Sequence, residues 1–215
     1  MQFKAALFDF DGVIVDSTPV HLCGWQDAYT AMFKQALDPE SLQTLVGRST
    51  AAIGSILAKR SGFPTAQAEL IRRKANFVFD HLHTIPLIEG ADLFIEALQS
   101  RKIPMGIVSN APRAFIEAAL KKHGLCLPFF LGLEDYQRPK PDAEPYMKGA
   151  ARLSWNFSHH ANIFVFEDST HGIEAAMAAH MTPIGICSQH PEEILCAAGA
   201  KLCFKNLKDA LSLLD

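Results

Sequence analysis

The residues of this chain whose types and spacing could do chemistry begin with two acids near the N-terminus. Asp9 and Asp11 follow the apolar run Ala5–Phe8, and Gly12 lets the chain turn away after them. On a strand, residues i and i+2 point the same way, so both carboxylates share one side at the strand's carboxyl end. Carboxylates that close repel each other unless a cation lies between them or one keeps its proton. The alternative is an ordinary Asp-Gly turn with a solvated acid beside it.

Three further polar groups follow apolar segments later in the chain. They are Ser109-Asn110, Lys140 in a proline-stiffened loop, and Glu167-Asp168. Each alone has an ordinary interpretation: a turn, a solvated surface lysine, and an acidic helix N-terminus favoured by the helix dipole. Strands of one parallel sheet bring their carboxyl ends to the same edge, however. We therefore expect these groups to converge with the two N-terminal acids, although they lie far apart in the sequence.

Converged in this way, the groups would suit a divalent cation and a phosphoryl group. Mg²⁺ prefers one or two carboxylates together with waters and phosphate oxygens. The cation would relieve the repulsion between Asp9 and Asp11 and leave one acid to act as a nucleophile. Lys140 would neutralise phosphoryl charge and keep the acids ionised, and Ser109 would donate a hydrogen bond to a phosphoryl oxygen.

The elements that must position these residues are those of an α/β protein. Strands and helices alternate from Ile103 onward, which predicts a parallel sheet with helices on both faces. The predicted strands are residues 5–8, 104–108, 129–133, 162–166, 183–187 and 201–204. The predicted helices that alternate with them are residues 91–99, 112–123, 144–153 and 172–180.

A long helical stretch separates the first predicted strand from the second. From His21 to about Gln99, apolar residues recur at helical spacing, divided by Gly47 and by the turn Gly62-Phe63-Pro64. Such a stretch is too long for an ordinary crossover. We therefore predict an inserted helical subdomain over residues 17–87, and an α/β core formed by residues 1–16 and 88–215.

Composition limits the class of protein. With 49% hydrophobic and 20% charged residues, the 215-residue chain can form an apolar core, and wholesale disorder is excluded. The net charge of -3 gives no excess of positive charge that would attract a polyanion, so no nucleic-acid partner is expected. No apolar run approaches membrane-spanning length, so no membrane partner is expected either, and no signal-peptide pattern is present. Five scattered cysteines suggest a reducing compartment, and we expect a cytoplasmic protein.

The polar groups, taken in order, resemble the four motifs of the haloacid dehalogenase-like phosphohydrolase superfamily. The matching segments are Asp9-Phe10-Asp11-Gly12-Val13, Ser109-Asn110, Lys140 within Arg-Pro-Lys-Pro, and Glu167-Asp168-Ser169 with Gly172. The helical insert is similar to the cap of the β-phosphoglucomutase and phosphoglycolate-phosphatase-like branch. The resemblance covers essentially the whole chain and implies a Rossmann-like parallel sheet core with an all-helical cap.

This resemblance implies roles for the core residues. Asp9 is expected to be the nucleophile that forms an aspartyl-phosphate, and Asp11 to be the general acid/base. Mg²⁺ is expected to be held by Asp9, the backbone carbonyl of Asp11, Asp168 and Glu167. Members that act as dehalogenases lack the second aspartate of the first motif and need no metal, so Asp11 disfavours that activity. The implied partner is a small phosphorylated metabolite, and the protein is expected to be a monomer or a dimer.

Substrate contacts are expected in the cap. His21 aligns with a histidine of the mutase-like members and could bond Asp11 or the substrate, with an ordinary surface histidine as the alternative. Sugar-phosphate mutases carry an arginine at the position of Thr50. Arg48 supplies the cation in its place or faces solvent. Lys74 matches a cap lysine of that branch or belongs to a solvated basic face.

The second and fourth motifs add further candidates. Asn110 and Arg113 are expected beside the phosphate, Arg113 as a cation. His171 and His180 stand where the family more often has small residues, and they either line the mouth of the site or lie on the surface.

Three functions are consistent with the motifs: a phosphatase of small phosphomonoesters, a phosphosugar mutase, and a catalytically idle binding module. Four intact motifs disfavour the idle module. A mutase must hold a second phosphate while its bisphosphate intermediate reorients, which requires a cation in the cap. Since Thr50 offers only a neutral hydroxyl, the sequence favours the phosphatase unless Arg48 supplies that cation.

Overall fold

The computed structural model describes residues 2–46, 49–154 and 157–214, which divide into two compact units. One comprises Met1–Asp16 with Pro86–Asp215, and the other comprises Ser17–Ile85. The helical unit thus ends two residues before the predicted boundary at residue 87. The physical reason is that the chain rejoins the larger unit at once, because Asp16 N donates to the Pro86 carbonyl at 2.9 Å and Ile88 N donates to the Ile14 carbonyl at 2.9 Å. The role of the helical unit as a cap stays a prediction.

The larger unit is built on a six-stranded parallel sheet. Its strands are β1 Ala5–Phe8, β2 Met105–Val108, β3 Phe130–Leu131, β4 Ile163–Glu167, β5 Thr182–Ile186 and β6 Leu202–Phe204. They lie in the order β3-β2-β1-β4-β5-β6. The chain adds β2 and β3 on one side of β1 and then adds β4, β5 and β6 on the other side, so the strand order reverses at β1. This order is that of a Rossmann-type doubly wound sheet, whose ligands bind beyond the carboxyl ends of the strands at the reversal point. The predicted α/β fold class is confirmed.

Nine α-helices lie within the described residues. They are α1 Thr18–Phe33, α2 Pro39–Gln43, α3 Thr50–Arg60, α4 Gln67–Asp80, α5 Ala91–Ser100, α6 Arg113–His123, α7 Glu144–Arg152, α8 Thr170–Ala178 and α9 Glu192–Ala198. The first four form the helical unit and the others belong to the larger unit. The last of these helices, α9, was not predicted from the sequence. In the part of the chain that the structure describes, no helix combines the length and apolarity needed to cross a bilayer.

β1 lies in the middle of the sheet and is buried on both faces. Leu7 packs in a cluster that includes Tyr146 of α7, while Phe8 meets Phe94 of α5 edge-on at 6.0 Å between ring centroids. Phe8 also stacks on Phe166 of β4 at 5.0 Å. Because neighbouring residues of a strand point to opposite faces, this continuous apolar run satisfies helices on both sides of the sheet. The result is a rigid support directly below the acids that follow β1.

The helical unit has its own apolar core. Trp25 and Tyr29 of α1 pack with Leu57 of α3 and Leu70 of α4, and all four are almost completely buried. These residues recur at helical spacing, so each helix presents one apolar stripe to the others. The predicted helical insert is therefore observed as helices with a shared core.

Candidate active site

The ammonium group of Lys140 is the centre of the polar cluster beyond the sheet. Its Nζ donates to Asp9 Oδ1 at 2.8 Å, to Glu167 Oε1 at 2.7 Å and to the Val108 carbonyl at 2.7 Å. An ammonium has three donors, so these three acceptors use all of them. Burial alone would lower the pKa of Lys140, but Asp9 and Glu167 outweigh it and raise the pKa. Lys140 is therefore a fixed positive charge between two acids.

Asp9 and Glu167 reach this lysine because of the sheet. Asp9 N donates to the Phe166 carbonyl at 2.9 Å, which fixes Asp9 directly beyond β1. Glu167 is the last residue of β4 and pairs with Gly185 of β5. The predicted strand ends at Phe166, and in the structure the ladder continues for one more residue, whose buried side chain is paired with Lys140.

The loop that carries Lys140 is held by Asn110, which follows β2. Asn110 Oδ1 accepts from Lys140 N at 3.2 Å, and its Nδ2 donates to the Lys140 carbonyl at 3.4 Å. The phenol of Tyr136 also donates to Asn110 Oδ1, at 3.0 Å. Asn110 was predicted to bind substrate. The structure places its amide on the backbone of the lysine loop, and its role toward substrate stays a prediction.

Asp9, Glu167 and Asp168 each offer one carboxylate oxygen within 4.8 Å of the others. Burial raises the pKa of Asp9 to about 7, Lys140 opposes that rise, and Glu167 and Asp11 add to it. Burial, followed by the charges of Asp9 and Glu167, raises the pKa of Asp168 well above its ordinary value. Crowded buried acids of this kind fit a hard divalent cation, because a cation removes their repulsion and oxygen donors are what Mg²⁺ takes.

Asp168 is packed against the turn that follows the first acids. Gly12 has a φ of +75°, and a Cβ there would lie 1.7 Å from Asp168 Oδ2, so only glycine is accommodated. Ser188 Oγ donates to the Gly12 carbonyl at 2.6 Å and lies 3.2 Å from Asp168 Oδ2. The Asp168 carboxylate at the end of β4 thus contacts both the turn after β1 and the segment after β5.

Ser109 and Asp11 lie at the same edge of the sheet. Ser109 N donates to the Leu131 carbonyl at 3.0 Å, and Ser109 Oγ accepts from Ala111 N at 3.2 Å. Asp11 is half-buried, and its charge contributes to the raised pKa of Asp9. Their roles toward a phosphoryl group, hydrogen-bond donor and general acid/base, stay predictions.

Arg113, at the start of α6, was expected to be a cation beside the phosphate. Its Nη1 instead donates to Asp135 Oδ2 at 2.6 Å, and its guanidinium carbon lies 4.7 Å from the ring centroid of Phe130. These contacts pack the start of α6 against the segment after β3. The role of Arg113 toward a phosphate stays a prediction.

Lys74 belongs to the helical unit, and the interpretation as a solvated residue is wrong for it. Its side chain is buried, its Nζ donates to Nδ1 of His21, and it lies 5.4 Å from the ring centroid of Trp25. Its neighbours Arg72 and Arg73 are exposed, as a basic helix face would be. A buried ammonium needs a polar partner, and His21 supplies one. The roles of Lys74 and His21 toward substrate stay predictions.

The remaining predicted residues lie on the surface or outside the described residues. Arg48 falls outside the described residues, so its role stays a prediction. Thr50 is exposed at the start of α3, where the Ser49 side chain accepts from Ala52 N at 3.2 Å. His171 and His180 are both exposed.

Two tyrosines and a serine contact the site residues but were missed by the sequence analysis. Tyr146 donates its phenolic hydrogen to Glu167, and Tyr136 donates to the Ser109 carbonyl as well as to Asn110. Ser188 contacts Asp168. Burial, with Glu167 next, raises the pKa of Tyr146 well above its ordinary value, so the phenol is a donor. An aromatic residue on an apolar helix face gives no sequence signal for such a bond.

The chain matches the sequence model of the haloacid dehalogenase-like hydrolase family over residues 6–186. It is 28% identical over 208 residues to validoxylamine A 7′-phosphate phosphatase of Streptomyces hygroscopicus subsp. limoneus, a match that covers 94% of this chain and 93% of that protein. It is 27% identical over 208 residues to phosphoglycolate phosphatase of Shigella boydii, covering 86% of this chain and 81% of that one. Among solved structures, β-phosphoglucomutase of Clostridium difficile superposes with a TM-score of 0.76 at 20% identity, covering 94% of this chain and 91% of that one, and shows the shared fold.

The chain therefore belongs to the haloacid dehalogenase-like hydrolase family. The predicted family and enzyme class are confirmed.

Proposed function

We propose that this chain is a Mg²⁺-dependent phosphatase that hydrolyses a small phosphomonoester through an aspartyl-phosphate on Asp9. The observation that carries the proposal is the cluster of Asp9, Glu167 and Asp168, with the Lys140 ammonium bound to the first two. Of the three acids, Asp9 alone keeps an appreciable exposure, 13% of its side chain, against 0% for Glu167 and 2% for Asp168. A nucleophile must be reached by substrate, whereas metal ligands can be buried. The relatives named as phosphatases support the same reaction class.

In the proposed reaction, Asp9 attacks phosphorus while the bond from phosphorus to the leaving oxygen breaks. Asp11 donates a proton to that oxygen, then takes a proton from the water that attacks the aspartyl-phosphate, and phosphate leaves as Asp9 is restored. Mg²⁺, held by Asp9, the Asp11 carbonyl, Glu167 and Asp168, would neutralise charge on the phosphoryl oxygens. Lys140 opposes the rise that burial causes in the pKa of Asp9, and it balances charge that develops on the phosphoryl group.

The direct test is phosphate release from a panel of sugar phosphates, phosphoglycolate and nucleotides, with and without chelation. EDTA should abolish activity and added Mg²⁺ should restore it. Ca²⁺ should substitute poorly, because it takes more oxygen ligands in looser geometry and disturbs the approach of the nucleophile. Undiminished turnover after exhaustive chelation would contradict the metal-dependent mechanism, and inactivity on the whole panel with Mg²⁺ present would contradict the phosphatase.

We also expect net phosphate release rather than transfer between two positions of a sugar. A mutase needs a charged hydrogen bond to the distal phosphate, worth about 1.5–3 kcal/mol, or roughly tenfold to a hundredfold in binding. Thr50 provides only a hydroxyl at the position where mutases carry an arginine. β-Glucose 1-phosphate should therefore not be converted efficiently to glucose 6-phosphate in an assay coupled to a dehydrogenase, with a trace of bisphosphate primer.

Arg48→Ala provides the matched variant for this expectation. If Arg48 binds the substrate far from the reacting phosphorus, it stabilises the bound substrate and the transition state equally. Its loss should then raise KM for anionic substrates more than it lowers kcat. Fast isomerisation of the glucose phosphates by the unaltered chain would favour the mutase instead.

A further inference from the structure

Tyr146 is a buried polar residue that the proposed reaction does not use. It lies on α7 with 0% of its surface exposed, and its phenol donates to Glu167 Oε1. The same oxygen accepts from Lys140 Nζ at 2.7 Å, and Nζ lies 4.7 Å from the centroid of the Tyr146 ring. The residue therefore contacts both the acid and the lysine of the site, through its hydroxyl and its ring respectively.

The acceptor positions of Glu167 decide which oxygen can meet a cation. A carboxylate oxygen accepts two hydrogen bonds in its plane. Lys140 and Tyr146 fill both positions on Oε1, whereas the described residues give Oε2 one bond, from Ser169 Oγ at 3.2 Å. Oε2 therefore keeps a position for a ligand, and Oε1 does not.

The helix that follows β4 restricts the same carboxylate from the other side. A Cβ at Gly172, in the first turn of α8, would lie 1.8 Å from Glu167 Cδ and 1.9 and 2.0 Å from its two oxygens. The carboxylate thus lies directly against this turn. Because α8 contacts one side of the Glu167 carboxylate, and Lys140 and Tyr146 both donate to Oε1, the carboxylate has one orientation that keeps all these contacts.

We propose that Tyr146 is a positioning residue of the metal site, whose hydroxyl holds Glu167 so that Oε2 is presented to the divalent cation as a single ligand. This inference rests on the proposed function, since it takes Glu167 as a metal ligand. Donors that orient a metal ligand commonly change metal affinity by about 10- to 100-fold when they are removed. If Tyr146 merely fills the core, phenylalanine should replace it without effect on the metal.

Tyr146→Phe separates these two roles because it removes the hydroxyl and keeps the ring, and with it the packing and the contact to the Lys140 ammonium. In calorimetric titration of the metal-stripped full chain, we expect the Kd for Mg²⁺ to rise by about 10- to 100-fold. The Mg²⁺ concentration that gives half-maximal turnover should rise by the same factor, while KM for substrate at saturating Mg²⁺ stays unchanged. Circular dichroism and the Tm without metal establish that the variant is folded.

Tyr29→Phe is the matched control. Tyr29 is also buried, and its phenol donates to Gln35 Oε1 at 3.2 Å within the helical unit. The control loses the same group from a comparable environment, so its Mg²⁺ affinity should equal that of the unaltered chain. An equal loss in both variants would overturn the proposal, because it would reflect general destabilisation.

Unchanged Mg²⁺ affinity in Tyr146→Phe would overturn the positioning role and leave the phosphatase intact. Loss of Mg²⁺ affinity in a chain that hydrolyses no phosphomonoester would support the positioning role and contradict the proposed function. Absence of Mg²⁺ binding by the unaltered chain would overturn both the positioning role and the metal-dependent mechanism.

Discussion

Replacing Asp9 by asparagine should leave a folded protein whose turnover is lower by several orders of magnitude, because an amide cannot form the covalent intermediate. The amide oxygen of asparagine can still accept from Lys140, and Lys140 stays paired with Glu167. Because the substitution also removes a buried carboxylate whose pKa burial raises to about 7, it should not destabilise the metal-free protein. The measurement is kcat with the best substrate of the panel, together with the Tm in EDTA.

Phosphoryl analogues give this prediction a second readout. Beryllofluoride or fluoroaluminate with Mg²⁺ should raise the Tm of the unaltered chain and not that of Asp9→Asn, since these analogues bind at the nucleophilic carboxylate. Asp92→Asn is the matched control, an exposed acid in the first turn of α5, and should behave as the unaltered chain. If Asp9→Asn turned over substrate as fast as the unaltered chain, the assignment of Asp9 as the nucleophile would be contradicted.

Replacing Lys140 by methionine should cost both activity and stability. Methionine keeps an unbranched side chain but leaves Asp9 and Glu167 buried without their shared cation, and breaking such a buried pair costs about 3–5 kcal/mol. We expect the free energy of unfolding in urea with EDTA to fall by about that amount. Loss of this preorganised positive charge beside the nucleophile should lower kcat by about 10²- to 10³-fold.

Mg²⁺ should restore part of the stability of Lys140→Met, because a cation among the acids replaces some of the missing positive charge, but it should not restore turnover. Lys148→Met on α7 is the matched control. Its exposed ammonium pairs with Glu144 at 2.9 Å, and losing such a surface pair should change the free energy of unfolding by less than about 1 kcal/mol. Equal unfolding free energies for the two variants would contradict the role given to Lys140.

The sequence by itself determined the sheet, the helical insert and the residues at the strand ends. Apolar runs such as Ala5–Phe8 must be buried on both faces, and the acids or amides that follow them must leave the core at one edge, so local pattern and topology rules were sufficient. The short edge strand β3 was also located, although its two residues were predicted as five. These properties depend on neighbours within a few residues along the chain.

Only the tertiary structure decided which side chains are partners. Lys140 meets Asp9 across 131 positions of the sequence, Lys74 meets His21 across 53, and Arg113 meets Asp135 across 22. In each case the charged group is satisfied by whichever polar atom the packing of distant elements brings within hydrogen-bond distance. Periodicity records which face of an element is apolar, but it does not record what lies opposite that face. This limit is why the sequence did not indicate the burial of Lys74, the pairing of Arg113 with Asp135 or the phenol on Glu167.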